Sequence, residues 1–216
     1  MKTQVVVARY NENIEWLKQL NVDIFDIIIY NKGSDINADF KCNIIKLKNT
    51  GRESHTYLHH IILNYENLPE KIIFTQATPF DHVGNNFIQD INNFEKNTPS
   101  FVYFTKNVLK IQYEETKNKF MEHGMLNGTM WINYHEITSN TFSVVEKLFG
   151  SFILKELNIK FGPGAIFGVN KKDILNKNKE FYLKCLDILN NSSDLINPPE
   201  GHAFERLWFY IFENSR

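Results

Sequence analysis

Short apolar runs alternate with helical periods along the first half of the chain. Residues 4–8 (QVVVA) and 25–30 (FDIIIY) are rich in β-branched side chains and predict two strands, with 43–47 (NIIKL) a third and weaker one. Between the first two, Ile14, Leu17 and Leu20 recur at helical spacing with Trp16 beside them, which predicts a short amphipathic helix over 13–20. Tyr57, Leu58, Ile61, Ile62 and Tyr65 predict a helix over 53–65. The run Ile72-Ile73-Phe74 then predicts a strand buried on both faces. The resulting order, β-α-β-β-α-β, implies an α/β fold with a mixed, mainly parallel sheet flanked by helices.

The second half is less regular. A loop from Asp81 leads into a helix carrying Phe87, Ile88, Ile91 and Phe94, and residues 101–104 (FVYF) read as a strand. Residues 106–137 have no clean period; Met130, Trp131 and other aromatics suggest a packed excursion, not disorder. Residues 141–154 read as a helix, and 160–169 as a strand interrupted by Gly162-Pro163-Gly164. One helix is expected over 171–189 and an aromatic helix over 201–212, separated by the breaker Asn197-Pro198-Pro199. With no repeat and no composition shift, a single domain across 1–216 is expected.

Charge and cysteine content narrow the function classes. A formal net charge of −1 and a pI near 6.7 argue against a large nucleic-acid surface or a polybasic membrane patch. No run approaches the roughly 18 apolar residues of a transmembrane helix. Met1-Lys2-Thr3-Gln4 does not open a signal peptide. Cys42 and Cys185 match no metal or redox spacing, so free thiols in a reducing, cytoplasmic setting are expected.

The chemistry concentrates where apolar runs end. After Phe74 the chain turns polar at once: Thr75, Gln76, Ala77, Thr78, then Pro79, Asp81 and His82. Open α/β sheets place ligands beyond the carboxyl ends of their strands. Gly51 and Arg52 precede the helix over 53–65, whose first turn would offer N–H groups and a positive dipole end to a phosphate, with Arg52 adding a guanidinium. Only four of the 24 cationic side chains are arginines, and two of them, Arg9 and Arg52, fall in predicted strand-to-helix loops. His55 and His59 lie i,i+4 on one face, but no Glu stands between them as in H-E-x-x-H, so core-edge packing is the simpler reading. Glu53 reads as a helix-start acid, and Trp208, Phe209, Tyr210 and Phe212 as core.

The segments VVVARYNE, IIIYNKG, NTGRESHTYLHHIILNYENLPEKIIF, PFDH, GPGAIFGV and GHAFERLWFYIF together resemble a family related to GT-A-type glycosyltransferases, and are similar to the glycosyltransferases of rhamnan synthesis. The resemblance covers most of the chain outside about 106–141. It implies a single GT-A (Rossmann-like) domain that binds a nucleotide-sugar donor, UDP by default, and passes the sugar to a glycan or glycoprotein acceptor. The loop from Ala8 to Glu12, with Ala8, Arg9, Tyr10 and Asn11, would hold the nucleoside, and the turn from Asn31 to Gly33 would line the same pocket. Asn49, Gly51 and Arg52 would sit near the base or diphosphate, and residues 162–167 would form the acceptor loop. Glu205 would be the catalytic base, with Asp81 as second choice.

At the Asp-x-Asp position the chain reads Gln76-Ala77-Thr78, with no carboxylate where relatives tend to carry Asp at Thr78. A divalent ion such as Mn²⁺ or Mg²⁺ prefers carboxylate oxygens, so its affinity should fall unless Asp81, His82 or His202 supplies them. Three readings follow: an inverting transferase, a non-catalytic nucleotide-sugar- or glycan-binding module, and, more weakly, a nucleotidyltransferase, for which the clustered carboxylates are lacking. The transferase reading requires Arg52, Gln76, Asp81 and Glu205 to meet in one hollow.

Overall fold

Unbroken β-branched runs need apolar cover on both faces, and the architecture supplies it. The computed structural model describes residues 2–97, 99–114, 119–126, 129–133, 137–150 and 158–213. Strands β1 (Thr3–Arg9), β2 (Phe25–Asn31), β3 (Asn43–Lys46) and β4 (Lys71–Gln76) lie parallel in the order β3-β2-β1-β4. The sheet continues through β10 (Phe167–Asn170), which runs antiparallel, to the edge strand β5 (Phe101–Tyr103). This six-stranded, mostly parallel sheet flanked by helices is the mixed α/β, Rossmann-like architecture the pattern predicts.

Alternate residues of each strand feed two cores. Val6, Ile28, Tyr30, Ile72 and Phe74 pack with helices α1 (Arg52–Asn64), α5 (Lys179–Asn190) and α6 (Pro199–Glu213). Val5, Val7, Ile27, Ile29 and Ile73 pack on the opposite face with Trp16, Leu17 and α2 (Phe87–Lys96). The period of two in a parallel strand thus becomes a three-layer sandwich.

The unreadable stretch resolves into an antiparallel meander. Strands β6 (Leu109–Glu114), β7 (Lys119–Leu126) and β8 (Thr129–Asn133) join β9 (Asn158–Phe161) in a second sheet of order β8-β7-β6-β9. Leu109 and Ile111 are buried in the same core as α6, and helix α3 (Ile137–Phe149) packs there through Val144 and Val145. The side chains of Met130 and Trp131, and the end of the helix expected over 141–154, lie outside the described residues.

Three element readings need correction. The expected helix over 13–20 is a 3-10 turn, Glu15–Gln19. The interrupted strand over 160–169 is two strands in two different sheets, because Gly164 takes φ 88° and turns the chain from β9 into β10. The helix over 171–189 is two helices, α4 (Lys171–Ile174) and α5, since the Asn178 side chain accepts from Phe181 N at 3.0 Å and starts a new one.

Candidate functional site

The strand order reverses direction between β1 and β4: the chain steps outward from β1 to β3, then crosses back to β4. At such a switch point the loops leaving neighbouring strands part and open a crevice. A cavity of about 560 Å³ lies there, within the range of small-molecule sites. Its walls come from the end of β1 (Ala8, Arg9, Tyr10, Glu12), the end of β4 (Gln76, Ala77, Thr78) and Lys32 after β2. Asn49, Arg52 and Glu53 at the start of α1, and Ile196 and Asn197 before α6, complete it.

The loops are tied to one another by backbone. Ala77 N donates to Ala8 O at 2.9 Å, and the buried Trp16 indole donates to Ala77 O at 2.7 Å. Lys32 N donates to Arg9 O at 2.8 Å. Gly33 passes so close to the first loop that a Cβ there would stand 1.7 Å from Tyr10 O. Asn11 and Asn31 serve this framework and do not line the cavity. Asn11 Oδ1 accepts from Ser34 N at 2.9 Å, and Asn31 Oδ1 accepts from Arg9 Nη1 at 2.7 Å.

Three cations face the cavity, and among the described residues two of them have no ion pair. Arg9 is buried and donates to carbonyl oxygens of Glu12, Tyr10 and Ser34 besides Asn31. Lys32 is buried; its Nζ donates to Thr50 O at 2.6 Å and to Arg52 O. Among the described residues neither has a carboxylate within 4.0 Å. Burial pushes the Lys32 ammonium down to about 8, opposed by the nearby Glu53. Its two bonds clasp a left-handed pair, Gly51 (φ 63°) and Arg52 (φ 51°), the second rare outside glycine. Lys32 therefore fixes how Arg52 enters the site.

Arg52 is the hub on the far wall. Its Nε lies 3.5 Å from Glu53 Oε2, and its Nη1 lies 2.8 Å from His202 Nε2 and 3.1 Å from Asn197 Oδ1. Glu53 is buried, its Oε1 has no hydrogen-bond partner, and desolvation pushes its carboxyl above the usual range despite Arg52.

Glu205 stands one contact behind this wall. Its Oε1 accepts from Gly164 N at 2.6 Å, and Gly164 O accepts from Gln76 Nε2 at 2.8 Å. Its Oε2 lies 3.8 Å from His202 Nδ1 and 3.9 Å from Arg206 Nη1. Desolvation opposes its ionised form, but His202, the Gly164 amide, Arg206 and Arg52 together outweigh it and hold the carboxyl below the ordinary value.

Of the expected site residues, Ala8, Arg9, Tyr10, Glu12, Lys32, Asn49, Arg52, Gln76, Ala77 and Thr78 line this cavity. Gly51 supports it by donating its N–H to Leu195 O at 2.7 Å. Of the four residues expected to meet in one hollow, only Arg52 and Gln76 line the cavity: Glu205 stands behind its wall, joined to Gln76 through Gly164, and Asp81 lies outside it. Asp81 is exposed on the turn that Pro79 O closes with the N–H groups of His82 and Val83. The expected metal trio also fails to assemble. His82 packs against Gly164, where a Cβ would stand 2.5 Å from its ring, while His202 faces Arg52. Among the described residues no three His, Cys, Asp or Glu side chains cluster to hold a metal ion. At the Asp-x-Asp position itself, Gln76 donates its amide N–H to Gly164 O at 2.8 Å.

Glu53, Ile196 and Asn197 were not among the expected ligand contacts, and Lys32 was expected only as part of the turn from Asn31 to Gly33. Lys32 sits in the Asn-Lys-Gly turn, where nothing local signals burial. Asn197 reaches Arg52 from a segment that the sequence marks only as a helix breaker.

A model of the family described as "Protein of unknown function (DUF3431)" matches residues 5–216. The chain belongs to the DUF3431 family. No curated protein matches it. The DUF3431 match runs from β1 to the C-terminus and so takes in every wall of the cavity.

Proposed function

We propose that the chain is a glycosyltransferase that takes a sugar from a nucleotide donor, UDP by default, and passes it to a hydroxyl of a glycan or glycoprotein acceptor. The observation that carries this reading is the meeting of Arg9, Lys32 and Arg52 on one cavity at the switch point of the sheet. Anions with several oxygens suit such a wall, since arginine and lysine N–H groups there gain strength away from water. The exposed Tyr10 and Ile196 give the cavity an apolar rim suited to a flat base or a sugar face.

In an inverting displacement, the acceptor oxygen bonds to the anomeric carbon as the bond to the diphosphate breaks, and the electron pair leaves with the diphosphate. Arg9, Lys32 and Arg52 offset the charge that develops there. Glu205, ionised and with Oε1 engaged by Gly164 N, would take the acceptor proton on Oε2. Two free thiols, Cys42 and Cys185, favour a reducing, cytoplasmic location.

The lack of a carboxylate at Gln76-Ala77-Thr78, and the absence of Asp81 and Glu205 from the cavity lining, favour a second reading, a nucleotide-sugar-binding module without turnover. A donor-hydrolysis and transfer assay over a panel of nucleotide sugars separates the two. Turnover is expected, and Glu205→Gln is expected to lower it by about 10²-fold or more with donor affinity kept. Donor binding with no turnover would establish the binding module instead. Full activity in Glu205→Gln would remove Glu205 from the mechanism.

A further inference from the structure

The GT-A resemblance implies a divalent ion at the donor diphosphate, and the side chains around this cavity do not fit one. We propose that Arg9, Lys32 and Arg52 themselves neutralise the ligand's diphosphate, so that binding requires no divalent metal. The proposal rests on the nucleotide-sugar reading of the cavity and goes beyond it by naming what holds the diphosphate.

Three independent observations lead there. First, among the described residues no three His, Cys, Asp or Glu side chains gather to hold a metal ion, and the two carboxylates of the cavity wall already face protein donors. Glu12 Oε2 accepts from Tyr10 N at 2.6 Å, and Glu53 leans on Arg52 Nε at 3.5 Å with its carboxyl raised by burial. The remaining oxygens at the end of β4 are an amide and a hydroxyl, weak ligands for a hard cation. Second, two of the three cations are buried with no carboxylate within ion-pair distance among the described residues. Buried charge without a counter-charge is costly, and the same field that disfavours the empty site repels a divalent cation and attracts an anion. Third, the cations are held in place before any ligand arrives. Arg9 is fixed by carbonyl acceptors, and Lys32 clasps the left-handed turn that carries Arg52. Preset donors need no reorganisation to receive a phosphate.

Calorimetric titration of the full chain tests this, with inorganic pyrophosphate and with UDP, GDP and dTDP, each in EDTA and in Mn²⁺. Pyrophosphate and at least one nucleoside diphosphate are expected to bind in EDTA, with a Kd within about twofold of the Mn²⁺ value. Arg52→Gln and Lys32→Gln, each checked for an intact thermal transition, are expected to weaken binding in EDTA by about tenfold, the loss of one charge-assisted contact. Binding that appears only with Mn²⁺ overturns the proposal and leaves the nucleotide reading standing. Metal-free pyrophosphate binding without any nucleotide binding upholds the cation site and removes the nucleotide reading. No binding of any probe in either condition, or folded variants of unchanged affinity, overturns the cation site.

Discussion

Two buried guanidinium groups in this molecule are treated in opposite ways. Arg206 on α6 meets Glu122 of β7 with Nη2 3.2 Å from Oε2, both side chains nearly inaccessible, and its charge also lies over the Phe161 ring. Arg9, about as buried, meets carbonyl and amide oxygens and, among the described residues, no carboxylate within 4.0 Å. The first arrangement neutralises its charge internally and fastens α6 to the second sheet. The second keeps its charge beside a cavity. The contrast teaches that burial alone does not mark a functional cation. What marks it is burial without a counter-charge at the edge of an open space.

Breaking the compensated pair sharpens the contrast most. Glu122→Gln leaves the buried Arg206 with only Glu205 Oε2, 3.9 Å from its Nη1, as a counter-charge, at a cost of about 3 kcal/mol. A fall of roughly 8 °C in melting temperature is expected for a chain of this size. Arg52→Gln, whose side chain is 30% exposed, should cost under about 1 kcal/mol while weakening anion binding. Thermal unfolding of the two variants side by side checks this; similar losses would erase the distinction.

A smaller effect is expected from pH. The folded-state value of Lys32, about 8, lies below its ordinary 10.5, so its ammonium destabilises the fold at neutral pH. That penalty is relieved as pH rises through 8, and this contribution to stability grows between about 8 and 10.5. Anion affinity moves the other way, falling by up to about eightfold from pH 7.5 to 9 as the ammonium is lost. The charged groups acting on Lys32 from α1 are Glu53, which favours the ammonium, and His55 and His59, whose own charged forms are disfavoured by burial first and by Lys32 second. Titration calorimetry across this range should show the decline in the wild type and a flat profile in Lys32→Met. Equal slopes in both would exclude Lys32.

How much of this was legible in the sequence depended on whether the signal was local. The parallel strands were, because burial on both faces forces an unbroken run such as Ile72-Ile73-Phe74. The polar ends of those strands were too, so Arg9, Arg52 and Gln76 were expected beside a ligand. The antiparallel second sheet was not. In β6, buried Leu109 and Ile111 alternate with Lys110 and Gln112 over too few residues to stand out. Asp81 misled because proximity in sequence to Gln76 does not survive the turn at Pro79. The contact of Asn197 with Arg52 spans 145 residues and depends on how α6 docks, which no local pattern encodes. Glu53 was read as a helix-start acid because sequence shows a residue's place on a helix, not its desolvation.

A crystal soaked with UDP in EDTA shows whether the cations alone hold a diphosphate. Diphosphate density is expected within hydrogen-bonding reach of Lys32 and Arg52, between the ends of β1 and β4. Density seated elsewhere, or a diphosphate that enters this cavity only on a Mn²⁺ ion, would contradict this.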